Sequence, residues 1–134
     1  MSVDYSKLIP GQKISGQNYV LDADTVSRYV DAVDDRSRLY SEGKGRGLVP
    51  PMAVSALSLR GVINALEIPG GTLHVGQEFD FSRAIEVGES LECTATLTQN
   101  SVRGEWRFMV VEVEVDDSKG RRVMDGKSTI MVPA

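Results

Sequence analysis

The chain has 134 residues, the length of one ordinary domain, and we expect residues 1–134 to form a single unit. Its composition, 41% hydrophobic and 25% charged, is typical of a globular chain with one core, which excludes disorder as the main state. Lys and Arg total 15 against 19 Asp and Glu, and the net charge of −4 provides no positive field for nucleic acid.

The chain has one cysteine, Cys93, and one histidine, His74. An internal disulfide is therefore excluded, and too few soft ligands remain for a zinc site of the usual kinds. We expect no metal and no other cofactor. No apolar stretch has the length of a signal peptide or a membrane span, so the expected location is the reducing cytoplasm, without a membrane partner.

Strand-like residues 13–21 precede the first predicted helix, which either Asp22 or Asp24 can cap. Its apolar residues recur at i, i+3, i+4 and i+7, which predicts an amphipathic helix with one buried face. These residues are Val26, Tyr29, Val30 and Val33. Residues 34–47 are charged and glycine-rich, and within them we expect residues 43–47 to be the most mobile part of the chain.

A second helix is predicted from the pair Pro50 and Pro51 to Leu66, because proline is tolerated in the first turn of a helix. It is apolar on nearly every side. Only a narrow polar seam interrupts this pattern, formed by Ser55, Ser58 and Arg60. Such a helix is expected to be buried on most sides.

From Thr72 onward the pattern changes from a period of about 3.6 residues to a period of about 2, which predicts strands. The first predicted strand has Leu73, Val75, Phe79 and Phe81 on one side and His74, Glu78 and Asp80 on the other. Further strands are predicted at residues 91–98, 105–116 and 122–132, with turns at 86–89 and 116–120. Consecutive strands are expected to pair. The predicted class is α+β, a single hotdog in which a curved antiparallel sheet wraps around a buried central helix.

Four stretches carry a resemblance that extends over nearly the whole chain. They are LIPGQKISGQNYVL, YVDAVDDRSRLY, GLVPPMAVSAL and LHVGQEFDFSRAIEVGESL. In these stretches the chain resembles MaoC-like hotdog domains of the fungal-synthase-like dehydratase type. The resemblance implies binding of acyl thioesters of CoA or acyl carrier protein. It also implies the family's reaction, the reversible hydration of a trans-2-enoyl thioester to the (R)-3-hydroxyacyl thioester.

The catalytic motif of that family contains an Asp and a His, which act as base and acid on one water. In the alignment implied by the resemblance, Asp35 takes the position of the Asp and Tyr40 that of the His. Ser37 replaces an Asn, and Arg38 replaces a Pro. The resemblance therefore implies a degenerate site, with Asp35 and Tyr40 as candidate catalytic residues and Ser37 as a candidate substrate-binding residue.

In catalytic members of the family the central helix begins with His-Gly, and the glycine N–H donates to the thioester oxygen. Pro50 and Pro51 take these positions, and proline has no backbone N–H. The donor is therefore missing unless Met52 or another group replaces it. The resemblance implies further substrate-binding candidates at Gly47, Val49, Pro51, Met52 and His74.

Each candidate also has a structural interpretation. Asp35 can terminate the first helix, Tyr40 can anchor the loop, and His74 can form a structural hydrogen bond with Glu78 or a neighbouring strand. Four arginines can attract the phosphates of CoA, although charges on such strands usually face solvent. They are Arg103, Arg107, Arg121 and Arg122.

Three functions remain open. The VPPM helix start and Tyr40 resemble the non-catalytic hotdog of (R)-3-hydroxyacyl thioester dehydratases, which shapes the acyl channel while its partner carries the Asp/His pair. The alternatives are a self-sufficient homodimeric enoyl-CoA hydratase that uses Asp35 and a non-enzymatic acyl-CoA-binding module. In each case we expect a homodimer or a heterodimer with a second hotdog, because the sheet leaves a free edge strand.

Overall fold

The computed structural model describes residues 3–37 and 47–134. Within these ranges the elements match the predicted segments closely, and the α+β class is confirmed. In chain order they are a short 3₁₀ helix Tyr5–Lys7, strand β1 Lys13–Val20, helix α1 Ala23–Ala32, helix α2 Pro51–Leu66, and strands β2 Leu73–Phe81, β3 Ser90–Arg103, β4 Trp106–Asp117 and β5 Arg122–Pro133.

The five strands form one antiparallel sheet in the order β1-β3-β4-β5-β2. Strands β3, β4 and β5 form the predicted meander. Strand β2, however, pairs with β5 at the edge of the sheet, so the predicted pairing between β2 and β3 is wrong. Residues 82–89 are therefore a crossover that passes the ends of β5 and β4, and Ser82 N–H donates to Val123 O at 2.9 Å on the way.

An ion pair explains why the crossover takes this path. Arg83 Nη2 lies 2.6 Å from Glu89 Oε1 and 2.9 Å from Asp117 Oδ2. The Asp117 carboxylate also accepts the backbone N–H groups of Lys119 and Arg121, at 2.9 and 3.0 Å. These bonds tie the crossover to the turn between β4 and β5, so β3 begins on the side of β4 that is away from β5.

Helix α2 packs on the inner face of the sheet through its serines. Ser55 and Ser58 are each 1% exposed, whereas Met52 and Ile63 are each 52% exposed. The two serines of the predicted polar seam therefore lie on the buried face, whereas Arg60, the third residue of the seam, is exposed. The prediction that α2 is buried on most sides is wrong for a single chain. Small side chains allow the helix to approach the sheet closely, and the Ser58 hydroxyl forms a hydrogen bond of 2.7 Å with Tyr19 OH.

A side chain of strand β1 donates hydrogen bonds to backbone carbonyl groups of α2. Gln17 Nε2 donates to Leu57 O at 2.7 Å and to Ser58 O at 3.2 Å. A Cβ atom at Gly61 would lie 3.0 Å from the Gln17 amide carbon, so glycine permits this close approach. The position of α2 along the sheet is thus set by directional bonds as well as by apolar packing.

Helix α1 begins at a side-chain cap, which settles the alternative left open by the sequence. Asp22 is the capping residue, and its carboxylate accepts Thr25 N–H at 2.8 Å. Val26 is buried as predicted. Val33 is 51% exposed because the helix ends at Ala32, so its predicted place on the buried face is wrong.

Candidate functional site

The start of α2 has few backbone donors. Pro50 is the N-cap and Pro51 the first helical residue, and neither has an N–H group. Ala53 N–H donates to Pro50 O at 2.9 Å, and Val49 N–H donates to Ile85 O at 2.8 Å. In the described part of the chain, Met52 N–H is the one amide of this turn left without an acceptor. A thioester oxygen at this position would therefore meet at most one helix-end donor.

A cavity of about 410 Å³ opens beside this helix start. Two of the predicted site residues, Val49 and Pro51, line it together with Phe81 and Arg83. Val49 is 4% exposed, whereas the Pro51 ring is exposed. The structure therefore brings these two candidates into one place, and Arg83 is the charged residue among the described part of the lining.

Asp35 lies in a short turn after α1. Its Oδ1 atom accepts Ser37 N–H at 2.9 Å, and its own N–H donates to Val30 O at 3.0 Å. Such a bond from a side chain to the backbone two residues later supports the structural interpretation of Asp35, and it also holds Asp35 and Ser37 together. Tyr40 lies outside the described residues, so the pairing of Asp35 with Tyr40 stays a prediction.

Gly47 is anchored through its backbone to the crossover. Its carbonyl oxygen accepts Val87 N–H at 2.6 Å, and the next residue, Leu48, forms a β-bridge with Glu86. The chain is thus fixed just before α2 begins. The expected mobility of residues 43–47 falls mostly outside the described ranges and stays a prediction.

His74 lies near the opposite end of α2 from Pro51. Helix α2 has 16 residues and is therefore about 24 Å long. A β-bulge at Val75 shifts the register, so that His74 pairs with Ile130 and faces α2, contrary to the predicted alternation. The predicted bond to Glu78 is absent, and within residues 3–37 and 47–134 the imidazole has no hydrogen-bond or ion-pair partner.

A second cavity, of about 290 Å³, lies between the C-terminal half of α2, the turn at residues 68–72 and β5. His74 lines it. Its walls are mainly apolar and include Leu59, Val62, Ile63, Val111 and Ile130. Its volume is at the lower end of the range of about 300–1,000 Å³ that is usual for ligand pockets.

The predicted site residues that the structure describes, which exclude Tyr40, therefore occupy three places: the start of α2, the turn after α1, and the second cavity. The sequence analysis missed the apolar walls of that cavity. The spacing of Leu59 and Ile63, four residues apart on one helix face, was the signal that pointed to a shared surface. The spacing does not show which part of the sheet lies opposite that surface, so the cavity itself could not be predicted.

Two buried titratable groups near α2 serve packing rather than chemistry. Burial raises the pKa of Tyr19 to about 12. Burial likewise raises the pKa of the Cys93 thiol, which is 1% exposed. Both groups are neutral at neutral pH and therefore supply neither a nucleophile nor a ready acid.

In the ranges that the structure covers, no group of three or more His, Cys, Asp or Glu side chains is placed to hold a metal ion. None of the helices described above is long and apolar enough to cross a membrane.

Residues 9–126 match a family model described as the FAS1-like, dehydratase domain region. A comparison with curated protein sequences gave no significant match.

Several solved structures share the fold. The (R)-hydratase PhaJ1 from Pseudomonas aeruginosa superposes with a TM-score of 0.80 at 20% identity, over 98% of this chain and 86% of that one. HadBC, a 3R-hydroxyacyl-ACP dehydratase complex from Mycobacterium tuberculosis, superposes with a TM-score of 0.79 at 15% identity, over 98% of this chain and 100% of that one. The (R)-hydratase from A. caviae involved in PHA biosynthesis superposes with a TM-score of 0.75 at 18% identity, over 95% of this chain and 98% of that one. At these identities the likeness shows the fold, and the predicted hotdog is confirmed.

Proposed function

The chain belongs to the FAS1-like dehydratase domain family, and from that premise we propose that it is the substrate-shaping subunit of an (R)-specific enoyl thioester hydratase or 3-hydroxyacyl thioester dehydratase. In this proposal a second hotdog supplies the intact Asp/His pair. The substrates are acyl thioesters of CoA or acyl carrier protein.

The observation that carries the proposal is the proline pair at the start of α2. Charge develops on the thioester oxygen in the transition state, and backbone donors at a helix start are a common means of stabilising it. Pro50 and Pro51 have no N–H, and Ala53 N–H is already bonded to Pro50 O, so only Met52 N–H remains for this role. The replacement of the motif histidine by Tyr40 weakens the acid/base chemistry as well.

The second cavity supports acyl binding. Each buried methylene group contributes about 0.8 kcal/mol in apolar surroundings, and Leu59 and Ile63 on α2 and Ile130 on β5 provide such surroundings. The small volume, about 290 Å³, favours a short or medium acyl chain over a long one. Acyl recognition is therefore retained where catalytic groups are reduced, as a shaping subunit requires.

The exposed apolar surface supports a second hotdog as partner. Met52 and Ile63 on α2 are each 52% exposed, and Leu73 and Val75 on β2 are 48% and 50% exposed. Strand β2 is also an edge of the sheet, with backbone groups available for pairing. HadBC, which shares the fold, is a complex. A second hotdog would cover α2 and β2 together.

An activity assay with and without a partner tests the proposal. We expect the purified chain alone to give no hydration of crotonyl-CoA above background. Turnover should appear when the chain is coexpressed with a hotdog that has an intact Asp/His motif, and it should disappear when the partner's Asp is changed to Asn. Enzymatic turnover by the chain alone, lost in Asp35→Asn, would contradict the subunit role.

That contradicting outcome would favour the alternative of a self-sufficient homodimeric hydratase. The turn that holds Asp35 beside Ser37 supports this alternative, because it keeps two motif positions together. A third outcome, acyl-CoA binding with no turnover in any combination, would favour a non-enzymatic binding module.

A further inference from the structure

We propose that His74 makes the second cavity selective for acyl chains that carry an oxygen function, a hydroxyl or a carboxylate, at the end farthest from the thioester. The inference rests on the proposed function, because it assumes that the cavity receives an acyl chain presented to the second hotdog. A six-carbon chain is much shorter than α2, so in this inference its thioester does not lie at the start of this chain's α2. The inference adds the substrate class and the residue that recognises it.

The first argument is the direction in which His74 faces. Strand β2 has one more residue than β5 between His74 and Gly76, and the extra residue is Val75. In a regular strand, His74 would share a face with Glu78 and Asp80, which are exposed. The bulge instead places His74 opposite Ile130, on the side that faces α2 and the cavity, and the residue is itself exposed there in the single chain.

The second argument is the state of the polar groups around the cavity. The Thr72 hydroxyl donates to Pro69 O at 2.8 Å, and the Ser128 hydroxyl is bonded to Gln77 Oε1. The His74 imidazole has no such partner among the residues described. It is therefore the lining side chain whose hydrogen-bonding capacity is available to a ligand.

The third argument is the contrast between the imidazole and the walls. The apolar walls favour methylene groups, but a chain ending in a methyl group would leave the imidazole without a partner once water is displaced. A terminal hydroxyl or carboxylate oxygen restores that bond. Sites with a polar group of this kind discriminate strongly against analogues that lack the matching oxygen.

Isothermal titration calorimetry of the full chain with three six-carbon thioesters tests the inference. The ligands are hexanoyl-CoA, 6-hydroxyhexanoyl-CoA and adipoyl-CoA. We expect the two oxygenated ligands to bind roughly threefold to tenfold more tightly than hexanoyl-CoA, the range that one net hydrogen bond provides. In His74→Leu the preference should vanish while hexanoyl-CoA binds at least as tightly as to the wild type.

Thr72→Val is the matched control, because Thr72 lines the same cavity but its hydroxyl is already bonded to Pro69 O, and it should keep the preference. Equal binding of all three ligands by the wild type would overturn the inference and leave the proposed function standing. Binding of none would overturn both. A preference that survives in His74→Leu, or a His74→Leu variant altered only in its dimer dissociation constant, would also overturn the role assigned to His74.

Discussion

Arg83 in the crossover and Asp117 at the end of β4 form an ion pair of 2.9 Å between segments 34 residues apart. The Asp117 side chain is only 4% exposed. Its bonds, chiefly from the backbone N–H of Arg121, hold the pKa of the carboxyl well below its usual range. The contact between the crossover and the end of β4 therefore depends on the Asp117 carboxylate being ionised.

We predict that Asp117→Asn lowers the free energy of unfolding near neutral pH and weakens its dependence on acid pH. The pKa of the Asp117 carboxyl is lower in the folded chain than in the unfolded chain, where an Asp has a pKa of about 3.9. Its contribution to stability is therefore complete above the unfolded pKa and is lost as pH falls toward the folded pKa. Urea denaturation at a series of pH values measures this, with Asp125→Asn, at an exposed ion pair, as control. Parallel pH profiles for wild type and Asp117→Asn would refute the prediction.

We predict that Tyr19→Phe destabilises the chain by about 1 kcal/mol, the net value of a typical hydrogen bond. The main bond lost is the one of 2.7 Å between Tyr19 OH and Ser58 Oγ, and a longer contact of 3.4 Å from Tyr19 OH to Val54 O is lost with it. In a double-mutant cycle, Ser58→Ala should add little once Tyr19→Phe is present, because the two hydroxyls are partners. Chemical denaturation measures all four proteins. Fully additive losses would show that the two hydroxyls are not coupled.

We predict that Ile63→Glu disrupts the dimer. The side chain is 52% exposed on α2, and a carboxylate there would have to lose its water when a second hotdog covers the helix. Light scattering at micromolar concentration should show a dimer for the wild type and a monomer for the variant. Ile9→Glu, at an apolar residue that is 67% exposed and outside α2 and β2, should remain dimeric. A monomeric wild type would contradict the proposed interface.

We predict that the combined changes Tyr40→His and Pro51→Gly give the chain measurable hydration of crotonyl-CoA. The histidine restores an acid/base group, which contributes ~10²–10⁴-fold, and the glycine restores an N–H donor, whose loss typically costs ~10²–10³-fold. Adding Asp35→Asn to this variant should abolish the gain. Circular dichroism verifies that α2 still forms. A folded double variant with only background turnover would show that more than these two groups is missing.

The positions of the elements were largely predictable because their signals are local. The proline pair marks where α2 begins, and the glycines that follow mark where it has ended. Alternating apolar residues define β3, β4 and β5. The partner of β2 was not predictable in this way. Residues 82–89 are compatible with a hairpin connection, and the contacts that hold them as a crossover, such as the ion pair between Arg83 and Asp117, join residues far apart in the chain.

For the candidate site residues too, contacts between neighbours in the sequence were predictable, whereas those that depend on distant strands were not. Asp35 and Ser37 are two residues apart, so their hydrogen bond follows from the motif. The direction of His74 depends on a single extra residue, Val75, whose effect is visible only against the register of β5. The sequence predicted burial of α2 on most sides but not that Ser55 and Ser58 would face the sheet, because periodicity shows which residues share a face but not which face the sheet covers.

The order of the strands also leads us to expect a particular order of folding. β3, β4 and β5 are joined by short turns, whereas Val20 pairs with Ser90 and Phe81 with Met124, far along the chain. Closing long loops is slow, so we expect the three-stranded hairpin array to form first and β2 to dock on β5 afterwards. The surface that we propose for a second hotdog includes β2. In this order it would be completed late in folding, and a partner would meet a chain whose core has already closed.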